Sequence, residues 1–216
     1  MKLLRRLDSI DANSGTATRS FQPGRSFPMP LVTNVLIGIN LLVFLLNDLL
    51  GDPLVSALAL WPIGYAFMPW QVLTYAFVHA NLAHLAFNMF GVYMFGGELE
   101  RVWGARRYLG FYLFCALFAA ATQMLVMSLS GMYVATVGAS GAVFGLLLGF
   151  AIEFPRRIVV PLIPPIPMRA PVFVMIYGGL ELILGVTGTA AGVAHFAHLG
   201  GLAGGLIFTL VWRRRH

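Results

Sequence analysis

The run TVGASGAVFG, Thr136 to Gly145, sets one serine, Ser140, among glycines inside an otherwise apolar segment. Gly138 and Gly141 flank the hydroxyl, and glycine is the residue that lets helix backbones approach most closely. The surrounding chain is 59% apolar and 10% charged, against roughly 25% charged residues in a soluble domain, so the segment belongs to a membrane protein. A formal charge of +6 raises the question of nucleic acid. The basic residues punctuate apolar segments instead of forming one stripe, which excludes that class.

Stretches of about 20 apolar residues cross a hydrocarbon core of roughly 30 Å as helices. Six are expected here: about 31 to 50, 71 to 95, 108 to 129, 139 to 154, 171 to 186 and 191 to 212. All 14 lysines and arginines fall on one side of this arrangement, before span one, between two and three, between four and five, and after six. Cytoplasmic loops retain positive charge, so both termini are expected in the cytoplasm. Residues 1 to 30 carry charge without the apolar core of a cleavable signal and read as a mostly disordered cytoplasmic tail. Residues 31 to 212 form the membrane domain, and 213 to 216 a basic cytoplasmic tail. Between spans one and two, GDPLVSALALWPIGYAFMP is too apolar for a free linker and too broken by glycine and proline to cross, which predicts a re-entrant or interfacial hairpin.

Polar groups inside spans are expensive and face the bundle interior, so each is a candidate for function. Counting back to the cytoplasmic arginines at ~1.5 Å per residue puts Ser140 and His198 roughly 22 to 24 Å above that boundary, with His84 and Asn88 bracketing the same level. Three helices thus supply a hydroxyl nucleophile, an imidazole to take its proton, and donors for an oxyanion, which are the parts of acyl transfer. Ser140 opens span four, where backbone N–H groups lack helical partners and favour negative charge. Gly141, Gly145 and Gly149 on span four and Gly201 and Gly205 on span six form small-residue faces that should pack together. Gly200 and Gly204 lie on an adjacent stripe. Phe144, one turn after Ser140, is placed to pack on the His198 ring or to fill core. Neither span four nor span six carries a carboxylate at this level, so a dyad without an acidic member is expected. Glu181 on span five reads as an acceptor or a water-facing group, with gating as the alternative. His195 reads as structural or water-facing, and His79 as bracing the apolar loop. Asn34, Asn40 and Asn47 read as packing groups.

Four histidines invite a zinc reading, but no HExxH pair is present and the serine would be unexplained, so no metal or cofactor is expected. Cys115 is the single cysteine and can build neither a disulfide framework nor a thiolate site. A small transporter with its solute site in the polar plane is the alternative from another class, and it predicts sequence repeats that are not seen.

HANLAHLAFN (79 to 88), GGELERVWG (96 to 104), GASG (138 to 141) and AHFAHLGGLAGG (194 to 205) together resemble the rhomboid intramembrane serine proteases. The resemblance implies an all-α, six-transmembrane-helix rhomboid-like bundle with a hairpin in the outer leaflet, and Ser140 and His198 as a catalytic dyad. His198 is preferred to His195 because Gly201 and Gly205 follow it at the family's spacing. His84 and Asn88 match the family's oxyanion donors, and Gly138, Gly141, Phe144, Gly201 and Gly205 the supporting positions. The implied substrates are transmembrane proteins cut near the outer face, in a bacterial inner membrane. A catalytically inactive relative that binds transmembrane helices is the alternative within the family. Two positions depart from the pattern. Gln71 stands where a hairpin-anchoring arginine is common, and Phe144 where tyrosine is common.

Overall fold

The computed structural model describes residues 30 to 131, 134 to 162, 164 to 188 and 194 to 213. The expected tails, 1 to 30 and 213 to 216, lie outside them except for residues 30 and 213. The described residues are mostly helical: α1 (Leu31–Leu50), α2 (Asp52–Leu58), α3 (Gln71–Thr74), α4 (Leu82–Gly91), α5 (Gly97–Trp103), α6 (Ala105–Ser130), α7 (Ser140–Glu153), α8 (Ala170–Thr187) and α9 (His195–Arg213). A two-residue antiparallel pair, β1 (Ile158–Val159) with β2 (Met168–Arg169), closes the connection from α7 to α8. Among the described residues α1, α6, α8 and α9 are long and apolar enough to cross a membrane. The 14-residue α7 is apolar but shorter.

The second expected span needs correction. Instead of one helix from 71 to 95, α3 passes through a tight 3₁₀ turn at Tyr75–Phe77 into extended backbone, and α4 begins only at Leu82. Asn81 caps it, its Oδ1 accepting from the His84 amide at 2.8 Å. From there helix is continuous to Trp103 through a π-helical turn at Val92–Gly96. Apolar residues run through both sides of the break, and apolar content reports depth in lipid or core and not backbone conformation.

Three helices make the centre. α6 packs against both α7 and α9, burying Tyr108, Phe111, Tyr112, Cys115 and Ala119 along one face. α7 and α9 meet through Gly141, Gly145, Gly201 and Gly205, whereas the expected Gly149 faces Phe111 and Trp103 instead. A Cβ on Gly201 would drive into the Gly141 carbonyl, and one on Gly205 would sit 3.1 Å from the Gly145 carbonyl oxygen. Gly200 and Gly204 serve a different neighbour, facing Thr122 and Phe118 of α6. At the arginine-rich end, Trp103 donates to Glu153 at 3.0 Å while the Arg107 guanidinium lies over the Trp103 and Trp212 rings.

Glu100 anchors α1. Its carboxylate accepts from the Val32 amide at 2.8 Å and from both the amide and the hydroxyl of Thr33 at 2.7 Å, filling donors that a helix start leaves unpaired. Gln71 does comparable work on the apolar loop. Its fully buried amide accepts from the backbone N–H of Met68 at 3.1 Å and Trp61 at 3.3 Å, and donates to the Ala66 carbonyl at 3.3 Å. An amide carries both donors and acceptors, so one side chain satisfies N–H and C=O groups of the same loop, which a guanidinium cannot do. Loop seating therefore survives the missing arginine. Gln71→Ala strands these buried groups and should cost about 1–3 kcal/mol, read as a lower melting temperature of the purified chain.

Candidate active site

The apolar loop is tied to the segment that delivers the serine. Leu60 and Thr136 exchange backbone hydrogen bonds at 2.9 Å, and the Gly138 amide donates to the Tyr75 carbonyl at 2.9 Å. Tyr75 is itself fixed by its hydroxyl, which donates to the Ala116 carbonyl at 2.8 Å. These bonds hold residues 136 to 139 rigid immediately before Ser140 starts α7.

Ser140 Oγ stands 2.7 Å from His198 Nε2, on the neighbouring α9. Phe144 covers one face of the imidazole, the rings 4.5 Å apart and within 9° of parallel. The predicted stacking is thus present without a tyrosine hydroxyl. His198 is 8% exposed, so the pair sits inside the bundle and touches a cavity on one side.

That cavity, about 570 Å³, is lined by Ser140, His198, His84, Asn88, Gly138 and Thr136 among others. Residues of α4, α7 and α9 thus meet at one cavity. Asn88 donates to the His84 carbonyl at 3.0 Å, the i to i+4 relation expected on one helix face. Gly138 explains the glycine before the serine. Its φ is +117°, and a Cβ there would lie 2.6 Å from His84 Nε2. Any other residue would be strained and would displace the His84 ring.

Two expectations change. The absence of a carboxylate was read from spans four and six alone, and α8 supplies one: Glu181 Oε2 lies 2.6 Å from His195 Nδ1 and 2.9 Å from His198 Nδ1. The His195 contact has hydrogen-bonding geometry, whereas the His198 contact is short but off the N–H direction. His79 also differs. Five residues before His84 on a single helix it would face elsewhere, but it lies in the non-helical segment before α4 and its ring meets His84 edge-on at 5.0 Å.

Glu181, His195 and His198 form the one group of potential metal donors among the described residues. The contacts at 2.6 and 2.9 Å are shorter than the roughly 3.4 Å that two ligands of a tetrahedral zinc keep from each other, so in this conformation the three groups contact one another and leave no gap for an ion.

The family model described as Rhomboid domain matches residues 66 to 215, more than two thirds of the chain. The chain belongs to the rhomboid family. Similar proteins include the rhomboid protease GlpG of Serratia proteamaculans, 28% identical over 197 residues that cover 89% of this chain and 66% of that protein. Rhomboid-like protein 11, chloroplastic, of Arabidopsis thaliana is 32% identical over 191 residues, covering 82% and 63%. Rhomboid protein 1, mitochondrial, of Saccharomyces cerevisiae is 28% identical over 142 residues, covering 62% and 39%. This rhomboid chain spans just under two thirds of the length of the GlpG relatives it matches. The match takes in all four quoted motifs, including both Ser140 and His198.

Proposed function

We propose that this rhomboid is an intramembrane serine endopeptidase that cuts transmembrane proteins near the outer membrane face, with Ser140 as nucleophile and His198 as general base. The observation that carries the reading is the 2.7 Å contact from Ser140 Oγ to His198 Nε2 on the wall of a cavity also lined by His84 and Asn88. In this reading α1, the helix from Leu82 to Trp103, α6, α7, α8 and α9 are the six spans, the loop from α2 to Asn81 is the hairpin, and both termini are cytoplasmic in a bacterial inner membrane.

Ser140 Oγ attacks the scissile carbonyl carbon while its proton moves to His198 Nε2. The resulting oxyanion is met by the side chains of His84 and Asn88 and by free amides at the start of α7. Collapse breaks the C–N bond, the proton passes from His198 to the departing amine, and Ser140 is left acylated. His198 then takes a proton from water as it attacks the acyl carbon, and returns that proton to Ser140 Oγ as the C–O bond breaks, which releases the acid and restores the serine.

A second cavity, about 760 Å³, lies between α4 and α8 and shares Phe87, Val143 and Phe144 with the first. Its wall is mostly apolar, including Phe90, Met94 and Tyr177, which suits a substrate helix entering from lipid. The substrate must unwind locally before attack, because its amides are hydrogen-bonded while helical. The test is co-reconstitution with a panel of single-span proteins in liposomes. Cleavage of some members within or beside the outer third of the span supports the reading; cuts confined to water-exposed segments, or no cleavage of any member, would contradict it.

A further inference from the structure

A carboxylate at membrane depth needs partners, and Glu181 spends one oxygen on two imidazoles. An ionised carboxylate accepts hydrogen bonds and donates none, so the Nδ1 atoms facing it carry their protons. For His198 this leaves Nε2 as the lone-pair nitrogen, turned towards Ser140 Oγ at 2.7 Å. We infer that Glu181 is a positioning residue for His198, an anion on α8 that selects the tautomer able to accept the serine proton and faces the imidazolium that results. The inference rests on Ser140 and His198 being the reacting pair.

The geometry gives His195 a part in this. It makes the aligned hydrogen bond to Oε2, while the His198 contact is off-axis. His195 therefore tethers the carboxylate, and what reaches His198 is chiefly charge, which needs proximity and not alignment. The three groups sit on two elements, α8 and the first turn of α9, one helical turn separating the two histidines. Packing of α8 on α9 is what holds the anion in place, with Gly185 of α8 lying close enough to His195 that a Cβ there would meet the His195 Cβ at 3.2 Å.

Glu181→Gln keeps the shape and removes the charge, and Glu181→Asp keeps the charge on a shorter stem. The full chain in liposomes is assayed for kcat and KM on a single-span substrate, and in detergent for the rate at which a fluorophosphonate labels Ser140. Glu181→Gln should lower kcat and the labelling rate together by roughly 10- to 100-fold, the worth of one charge-assisted contact, with KM within about twofold. Glu181→Asp should recover part of both rates. A purely structural or gating role would instead move KM or the melting temperature and leave labelling by the small probe unchanged. Glu181→Gln labelling at the wild-type rate overturns this proposal alone. A wild-type chain that takes no label removes the Ser140 reading on which it rests.

Discussion

Ser140→Ala should reduce kcat for every transmembrane substrate by at least about 10³-fold while leaving the bundle folded, because the nucleophile has no replacement. Ser140 Oγ has His198 Nε2 at 2.7 Å, while the Tyr75 hydroxyl, from the same cavity lining, donates to the Ala116 carbonyl at 2.8 Å. Thr136 shares the wall, but it is fixed by backbone bonds to Leu60 on the segment before α7. Stability should barely change. The substitution removes one hydrogen bond worth about 1 kcal/mol and opens no cavity larger than an oxygen atom, so the melting temperature should move by a few degrees at most. Kinetics with a co-reconstituted substrate and thermal unfolding of the same preparation check the two halves. A folded Ser140→Ala variant that still cuts at near wild-type rate would remove the serine from the mechanism.

The second large effect is expected far from any proton transfer. Gly201→Ala places a methyl group in the Gly141 carbonyl, backbone against backbone, with no flexible side chain able to give way. α7 and α9 must then separate, and those two helices carry Ser140 and His198. Overpacking of this kind costs about 1–3 kcal/mol or more in stability. A displacement near 1 Å of the reacting groups costs on the order of 100-fold in rate, so activity should fall by at least that much even in molecules that remain folded. Gly110→Ala is the control. A Cβ at Gly110 of α6 meets nothing within 4 Å, so this substitution should leave activity unchanged and improve helix propensity by up to about 1 kcal/mol. Equal behaviour of the two alanines would show that close approach of α7 and α9 is not what sets the site.

Much of the site is legible in the sequence because it depends on helix phase and depth. Ser140 and His198 lie at matched sequence distances from the arginine clusters that follow their helices, and Gly141 with Gly145 and Gly201 with Gly205 recur at the four-residue spacing that places each pair on one helix face. Helix rise and period fix both properties, so they carry over from residue numbers to space. Glu181 was visible as an intramembrane carboxylate, but its target was not. Depth along α8 says nothing about rotation of α8 about its axis, and that rotation comes from packing against Leu202 and Phe196 of α9, side chains with no periodic signal of their own.

The start of the second span failed for a different reason. Residues 71 to 81 hold Gln71, Thr74, His79 and Asn81 among apolar neighbours, and Asn81 caps a new helix after Val78 has left the 3₁₀ turn in extended backbone. Asn81 is a capping residue three places before His84, and that local signal marked the boundary that hydropathy blurred. Gln71 likewise looked like the loss of an anchor. Only the surrounding loop, with N–H groups of Trp61 and Met68 and the Ala66 carbonyl turned inward, shows that an amide can fill the same place.

The central claim is that Ser140 is a nucleophile activated by His198. The most direct measurement is reaction of the purified chain with a fluorophosphonate, followed by mass mapping of the adduct. Covalent phosphonylation confined to Ser140, and abolished by His198→Ala in a folded variant, is the predicted result. A folded wild-type chain that stays unmodified, or that carries its adduct at another residue, would contradict the account.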